Sequence, residues 1–296
     1  MKRPQVVPIS DSLAHHGEGP LWDPVGQRIV WMDMLVGDVL ITDLDGKTQR
    51  IQLADPIAAL ARPIAGTTDF VVVGERTIWQ VSLDEPRKAP FRVMTLPWPS
   101  GVRSNDGACS PAGVLYIGSM HYGAEPGAGQ VLTVTEGGCS VALDSTTISN
   151  GQQFITENSV VFVDSADGRI RRFTVTRDGT WVDPETIATS DNVPGTPDGL
   201  CVDSEGGVWA AMWDGGCVAR WSSDGRLTAI IDLPVRRPTS VTLGGASMRT
   251  LFITTSALDR VPGTEPEAGS LLAVEVEVPG PFPYAWNVES AGLQLL

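Results

Sequence analysis

Histidine is scarce in this chain: His15, His16 and His121 are the only three among 296 residues. A catalytic triad resting on an imidazole base has few starting points, and no Gly-x-Ser-x-Gly elbow offers a nucleophile. Cysteine is almost as rare. Cys109, Cys139, Cys201 and Cys217 contain no Cys-x-x-Cys pair, which argues against a thiolate zinc site. Four reduced structural thiols in a cytoplasmic protein are the expectation. No apolar run approaches the roughly 18 residues that a spanning helix requires, and the first eight residues lack the apolar stretch of a signal peptide. Basic residues are outnumbered, 21 Lys and Arg against 35 Asp and Glu, for a net charge of −14. That balance argues against nucleic acid and anionic membranes as partners, and it suits divalent cations and neutral substrates. A glycine-rich nucleotide loop is missing, and so is any sustained apolar stripe of helical period.

Glycine and proline, by contrast, are plentiful, with 32 and 22 residues, and 42% of the chain is hydrophobic. Many short segments punctuated by turns around a substantial core point to an all-β protein, with 1–296 forming one domain. Four short steps pair a glycine with an oxygen-bearing side chain: Glu18-Gly19, Asn105-Asp106-Gly107, Asn150-Gly151 and Asp198-Gly199. In three of them a turn follows at a shared spacing, Asp23-Pro24-Val25-Gly26, Ser110-Pro111-Ala112-Gly113 or Asp203-Ser204-Glu205-Gly206, and then a strand. The step at Asn150 keeps the strand spacing, with Thr156-Glu157-Asn158 as a variant turn. Six segments repeat this plan, over 22–46, 58–84, 108–138, 154–179, 200–225 and from 241 onward. Outer hairpin turns recur at Asp45-Gly46, Gly137-Gly138, Asp178-Gly179 and Asp224-Gly225. A period of about 49 residues suits a four-stranded blade, and the repeats together predict a six-bladed β-propeller.

In a propeller the loops entering the innermost strands ring one mouth, and side chains equivalent in the repeat converge there. Glu18, Asn150 and Asp198 then offer oxygen ligands alone, which suits one hard divalent cation. Ca²⁺ is favoured, and Mg²⁺, Mn²⁺, Zn²⁺ or Fe²⁺ are compatible. Arg103 and Asn105, two residues apart, present a guanidinium fork and an amide to substrate oxygens, and His121 is a third candidate at the substrate side. Ala58-Ala59 and Thr239-Ser240 hold the matching positions of blades two and six, leaving one side open or apolar. His15-His16 reads as a solvated surface pair, Asp106 as a turn cap, and the nine Trp as packing between blades.

These motifs resemble the SMP-30/gluconolactonase/regucalcin-like family, six-bladed metal-dependent hydrolases. The resemblance runs from Gly17-Glu18-Gly19-Pro20 through Arg103-Ser104-Asn105-Asp106-Gly107, Ser149-Asn150-Gly151, Pro197-Asp198-Gly199-Leu200 and Trp213-Asp214-Gly215-Gly216 to Pro238-Thr239-Ser240-Val241. It implies that Glu18, Asn150 and Asp198 bind the metal, that Asp198 is also the general base, and that Arg103 and Asn105 hold substrate. The implied activity is opening of a small sugar lactone, carried out by a monomer or weak homo-oligomer. Hydrolysis of other esters or organophosphates, and a non-catalytic Ca²⁺-binding propeller, are the rivals. Two departures bear on the substrate. Gln152-Gln153 follow Ser-Asn-Gly where the family usually continues with apolar residues, and His121-Tyr122-Gly123 stand where sugar-binding members often carry an acid. A rim of Gln152, His121 and Tyr122, without an added carboxylate for a polyol, predicts only modest preference among lactones.

Overall fold

A computed structural model describes residues 5–11, 13–135, 138–261 and 263–288. Gly137 of one expected outer turn and the first four residues of the chain lie outside these. After a two-residue strand β1 (Val7–Pro8), the first blade is formed by β2 (Gly17–Asp23), β3 (Arg28–Asp33), β4 (Asp38–Asp43) and β5 (Thr48–Gln52). A short 3-10 turn, Met34–Val36, sits between β3 and β4. Blade two comprises β6 (Ala58–Pro63), β7 (Asp69–Gly74), β8 (Thr77–Ser82) and β9 (Phe91–Thr95). Blade three has β10 (Val102–Cys109), β11 (Leu115–His121), β12 (Gly129–Thr135) and β13 (Gly138–Thr146). In blade four come β14 (Ser149–Thr156), β15 (Ser159–Asp164), β16 (Arg169–Val175) and β17 (Trp181–Thr189). Blade five holds β18 (Thr196–Val202), β19 (Val208–Trp213), β20 (Cys217–Trp221) and β21 (Leu227–Asp232). The last blade has β22 (Pro238–Gly244), β23 (Thr250–Thr255) and β24 (Leu272–Glu275) from its own repeat.

Its fourth strand is β1, paired antiparallel with β24 through Val7↔Ala273 and Pro8↔Leu272. Strand β1 thus closes the ring non-covalently. The six inner strands β2, β6, β10, β14, β18 and β22 touch one another in cyclic order, so the predicted six-bladed propeller is the fold. Facing sheets bury the apolar residues of neighbouring blades against each other. Trp22 of blade one stacks on Phe252 of blade six with ring centres 5.9 Å apart. Tyr116 of blade three packs against Phe154 and Trp181 of blade four. Offset aromatic contacts of this kind each add about 0.5–1.5 kcal/mol beyond the area that they bury.

The glycine steps depart from the position that their spacing suggests. They lie inside the innermost strands, at β-bulges, rather than on loops before strands. Every inner pair slips register at the same place: after Glu18, Ala58, Ser104, Asn150, Pro197 and Pro238. A bulge inserts an extra residue and turns a side chain out of the regular alternation, here toward the axis. Gly19 (φ +49°) and Gly151 (φ +38°) carry the left-handed conformation that the bulge demands. A Cβ on them would lie 2.8 Å from Ala59 O and 2.7 Å from Asp198 O of the next blade. Glycine therefore serves both the bulge and the close approach of adjacent inner strands.

Residues 279–288 form a strap across the opposite face. Ser204 N donates to Pro279 O (2.8 Å) and Gly280 N to Met248 O (2.7 Å), anchoring it on blades five and six. Trp286 N donates to Pro63 O and Asn287 N to Gly113 O, both at 2.8 Å, anchoring its far end on blades two and three. Pro281, Phe282, Pro283 and Tyr284 line the central cavity from that side.

Candidate functional site at the propeller mouth

Five inner-strand side chains gather at the other end of the channel. Glu18 comes from β2, Arg103 and Asn105 from β10, Asn150 from β14 and Asp198 from β18. Each keeps only 6–8% of its surface exposed, so the groups are sunk in the mouth. Hydrogen bonds join them. Asn150 Nδ2 donates to Asp198 Oδ1 across the blade four–five seam and to Ser165 Oγ at 3.2 Å. Arg103 Nη1 donates to Asn105 Oδ1 (2.8 Å) and to Ser104 O (2.9 Å), and Asn105 Nδ2 donates to Ser149 O (3.0 Å) in blade four.

The electrostatics are those of a crowded acidic pocket. Burial, then the nearby Asp198 charge, pushes Glu18 well above the usual carboxylate range. Burial, then the charge of Asp106, pushes Asp198 up to about 8, against the opposing pull of Asn150 and Arg103. Two desolvated carboxylates that repel each other are costly unless protonated or neutralised by a cation. A divalent ion therefore fits this donor set. Among the described residues no group of three or more His, Cys, Asp or Glu is placed to hold a metal; the Asn150 amide beside Asp198 carries a further side-chain oxygen. A half-turn of that amide exchanges Oδ1 for the Nδ2 now facing Asp198.

Asp106 is not only a turn cap. Its Oδ1 does accept from its own strand, from Gly107 N at 2.7 Å. Its carboxyl also lines the central cavity with Arg62 and Gln152, and burial raises it. Gln152, expected on the rim, is buried on the wall of that cavity, below the mouth. Gln153 faces blade five, where its Oε1 accepts from Val202 N at 2.8 Å.

His121 does not join the mouth cluster. Its ring covers Gly101, where a Cβ would meet His121 Nε2 at 2.5 Å. Its Nδ1 accepts from Gly123 N at 3.1 Å and lies 3.6 Å from Glu125 Oε1. The next residue reaches the site instead. Tyr122 places its ring 5.7 Å from the Arg103 guanidinium carbon and donates its hydroxyl to Glu75 Oε1 from blade two. Burial and the Glu75 carboxylate hold the Tyr122 phenol up at about 12, so it remains a donor at neutral pH.

His16 is likewise not a solvated surface group. Its Nδ1 lies 2.9 Å from Ser256 Oγ, its Nε2 lies 3.8 Å from Glu18 Oε1, and its ring meets Trp213 edge-on at 5.7 Å. Burial first, then the charge of Arg103, holds it down at about 3, so it is neutral. The period-two spacing His16, Glu18 is a sequence signal that places both on one side of a strand. Trp213 departs from the packing role expected of the tryptophans. It stands at the mouth with Arg237 4.8 Å above its ring, and Arg237 is tied to Asp214 at 2.7 Å. Met34 Sδ, 3.5 Å from Arg103 Nη1, comes from the 3-10 turn and has no repeat-based signal.

Comparison with known proteins adds the context of relatives. The profile of the SMP-30/Gluconolactonase/LRE-like region matches residues 16–257. A pentonolactonase from Haloferax volcanii is 26% identical over 93% of this chain and 96% of its own length. A 6-deoxy-6-sulfogluconolactonase from Pseudomonas putida is 31% identical over 89% and 92%. Among solved structures, a calcium-binding regucalcin from Agrobacterium tumefaciens superposes with a TM-score of 0.85 at 25% identity, covering 94% of this chain and 96% of its own. A luciferin-regenerating enzyme superposes at 0.86 with 23% identity over 96% and 99%, a likeness of fold. The matched span takes in all five inner-strand groups of the mouth, and the chain belongs to the SMP-30/gluconolactonase/LRE-like family.

Proposed function

We propose that this protein is a divalent-metal-dependent lactonase that opens sugar lactones to the corresponding hydroxy acids. The observation that carries the reading is the pairing of the buried carboxylates Glu18 and Asp198 beside the Arg103–Asn105 couple. A scaffold has no need of either. Relatives named as lactonases point the same way.

Glu18, Asn150 and Asp198 would hold the cation, which when bound supplies Lewis-acid polarisation of the lactone carbonyl. Arg103 directs its remaining N–H groups at lactone oxygens, and Asn105 fixes the orientation of that guanidinium. Asp198 accepts the proton of the attacking water as the new C–O bond forms. That proton passes to the ring oxygen as the ring C–O bond breaks, so lactone and water give one hydroxy acid. Neutral His16 walls the site beside Glu18 without adding charge. The substrate is then a small neutral lactone, handled without nucleic acid or membrane by a monomer or weak homo-oligomer. The reading carries a cytoplasmic location, in which the four free thiols stay reduced; no helix among the described residues is long and apolar enough to cross a membrane.

The test is acid release from D-glucono-, D-xylono- and L-arabinono-lactones beside an aryl ester and a phosphotriester. Turnover of the lactones above the other two is expected. A phosphotriester preference of about tenfold or more in kcat/KM over every lactone would overturn the reading.

A further inference from the structure

A carboxylate stands at the mouth after all, supplied by a different blade from the one where the sequence departs from its family. Glu75 follows β7 directly, in the turn that leads to β8. Its backbone is fixed on both sides. Glu75 N donates to Asp55 Oδ1 at 2.7 Å, and its carbonyl accepts from Ser104 N at 3.0 Å and Ser104 Oγ at 3.1 Å. Ser104 lies between Arg103 and Asn105, so blade three holds Glu75 in register with its own two mouth residues. The Glu75 side chain is half-buried, and its Oε1 accepts the hydroxyl of Tyr122. Among the described residues no donor occupies Oε2. Glu75 and Tyr122 both act on the charge of Arg103, whose guanidinium faces the Tyr122 ring.

We infer that Glu75 and Tyr122 form a substrate subsite that binds the hydroxyl groups of a polyhydroxylated lactone, and so determine specificity. The inference rests on the lactonase reading and adds to it the part of the substrate that is recognised. A carboxylate accepts hydrogen bonds from vicinal hydroxyls, a phenol offers an apolar face and a polar tip, and Arg103 links the pair to the reacting end. An unsubstituted lactone has no hydroxyl to offer Glu75, so it loses far less when the carboxylate is removed. The subsite also replaces the weak discrimination expected of a rim without an acid: a fixed acceptor left unmatched penalises analogues that lack the hydroxyl.

The experiment compares D-xylonolactone with unsubstituted γ-butyrolactone for the parent, Glu75→Ala, Glu75→Gln and Tyr122→Phe proteins, with metal content and melting temperature measured on each. Glu75→Ala is expected to lower kcat/KM for the xylonolactone by about 10- to 100-fold, mostly through KM, and to change it less than about threefold for the butyrolactone. Tyr122→Phe leaves the carboxylate in place and shifts the same preference by a smaller factor. Glu75→Gln keeps one acceptor oxygen and is expected to retain part of the preference; equal losses on both lactones mark a structural role and overturn the subsite. In parallel, binding of 1,5-anhydro-D-glucitol is followed by ligand-observed NMR, which requires no turnover. Glu75-dependent binding in a parent protein that opens no lactone would sink the lactonase reading and leave the subsite standing. Lactone opening with unchanged preference and unchanged polyol binding in Glu75→Ala would do the reverse.

Discussion

Arg103 Nη1 donates to the side-chain oxygen of Asn105 at 2.8 Å, so the two residues act as one hydrogen-bonded unit. Asn105 in turn is anchored by its amide nitrogen to Ser149 O of blade four, next to Asn150. Removing either member leaves the other misdirected or unpaired in a buried mouth, and the effects of the two substitutions should not add.

Arg103→Ala is therefore expected to lower kcat/KM about 10- to 100-fold while one divalent ion per chain is retained. The Arg103→Ala, Asn105→Ala double variant should lose little more than the worse single variant, for a coupling of about 1–3 kcal/mol. Kinetics and elemental analysis on the four proteins read both quantities. Metal loss in Arg103→Ala, or fully additive losses, contradicts the unit.

Metal removal should expose the repulsion within the pocket. In chelator, burial and the surrounding acidic charges raise Glu18 well above its ordinary range and Asp198 to about 8, while burial holds His16 near 3 against an ordinary 6.5. Between pH 6.5 and 8 the folded chain keeps protons on carboxylates that the unfolded chain has already released. Stability thus falls as pH rises through this window. Below 6.5 the unfolded chain protonates the His16 imidazole and the folded chain does not, an effect of opposite slope. The melting temperature of chelated protein should decline from pH 6.5 to 8, and saturating divalent cation should abolish the decline. A flat profile in chelator contradicts the pocket electrostatics.

The strap gives a stability prediction independent of the chemistry. Trp286 is fully buried against Ile64 and the blade two–three core, with backbone hydrogen bonds to Pro63 and Ala65. Trp286→Ala should cost about 3–5 kcal/mol in denaturant unfolding. A cost below about 1 kcal/mol would mean that the strap contributes little to closing the fold.

The repeats were legible because a blade writes its pattern many times. Strands such as Val208–Trp213 and turns such as Asp203 to Gly206, closed by Gly206 N donating to Asp203 O at 3.0 Å, lie where the spacing places them. Glu18, Asn150 and Asp198 were legible for the same reason, since each precedes a glycine at the bulge of its inner strand. The two-residue β1 carries no periodicity and pairs with a strand at the far end of the chain, so its closing role is visible only in space. Glu75, Met34 and Trp213 reach the mouth from turns and strand ends that differ from blade to blade, with no register to align them. His121 and Tyr122 show the difficulty most sharply. They are adjacent, and β11 turns the first toward Gly101 and leaves the second to meet Arg103.

Stoichiometric metal reconstitution tests the central claim most directly. Protein stripped with chelator is titrated with Ca²⁺, Mn²⁺ or Zn²⁺ while acid release from a sugar lactone is recorded, with Asp198→Ala run alongside. A lactonase that works through Glu18, Asn150 and Asp198 is silent when stripped, regains activity with a break at about one equivalent per chain, and stays silent as Asp198→Ala. Full lactone opening by the stripped protein, or by Asp198→Ala, would contradict it.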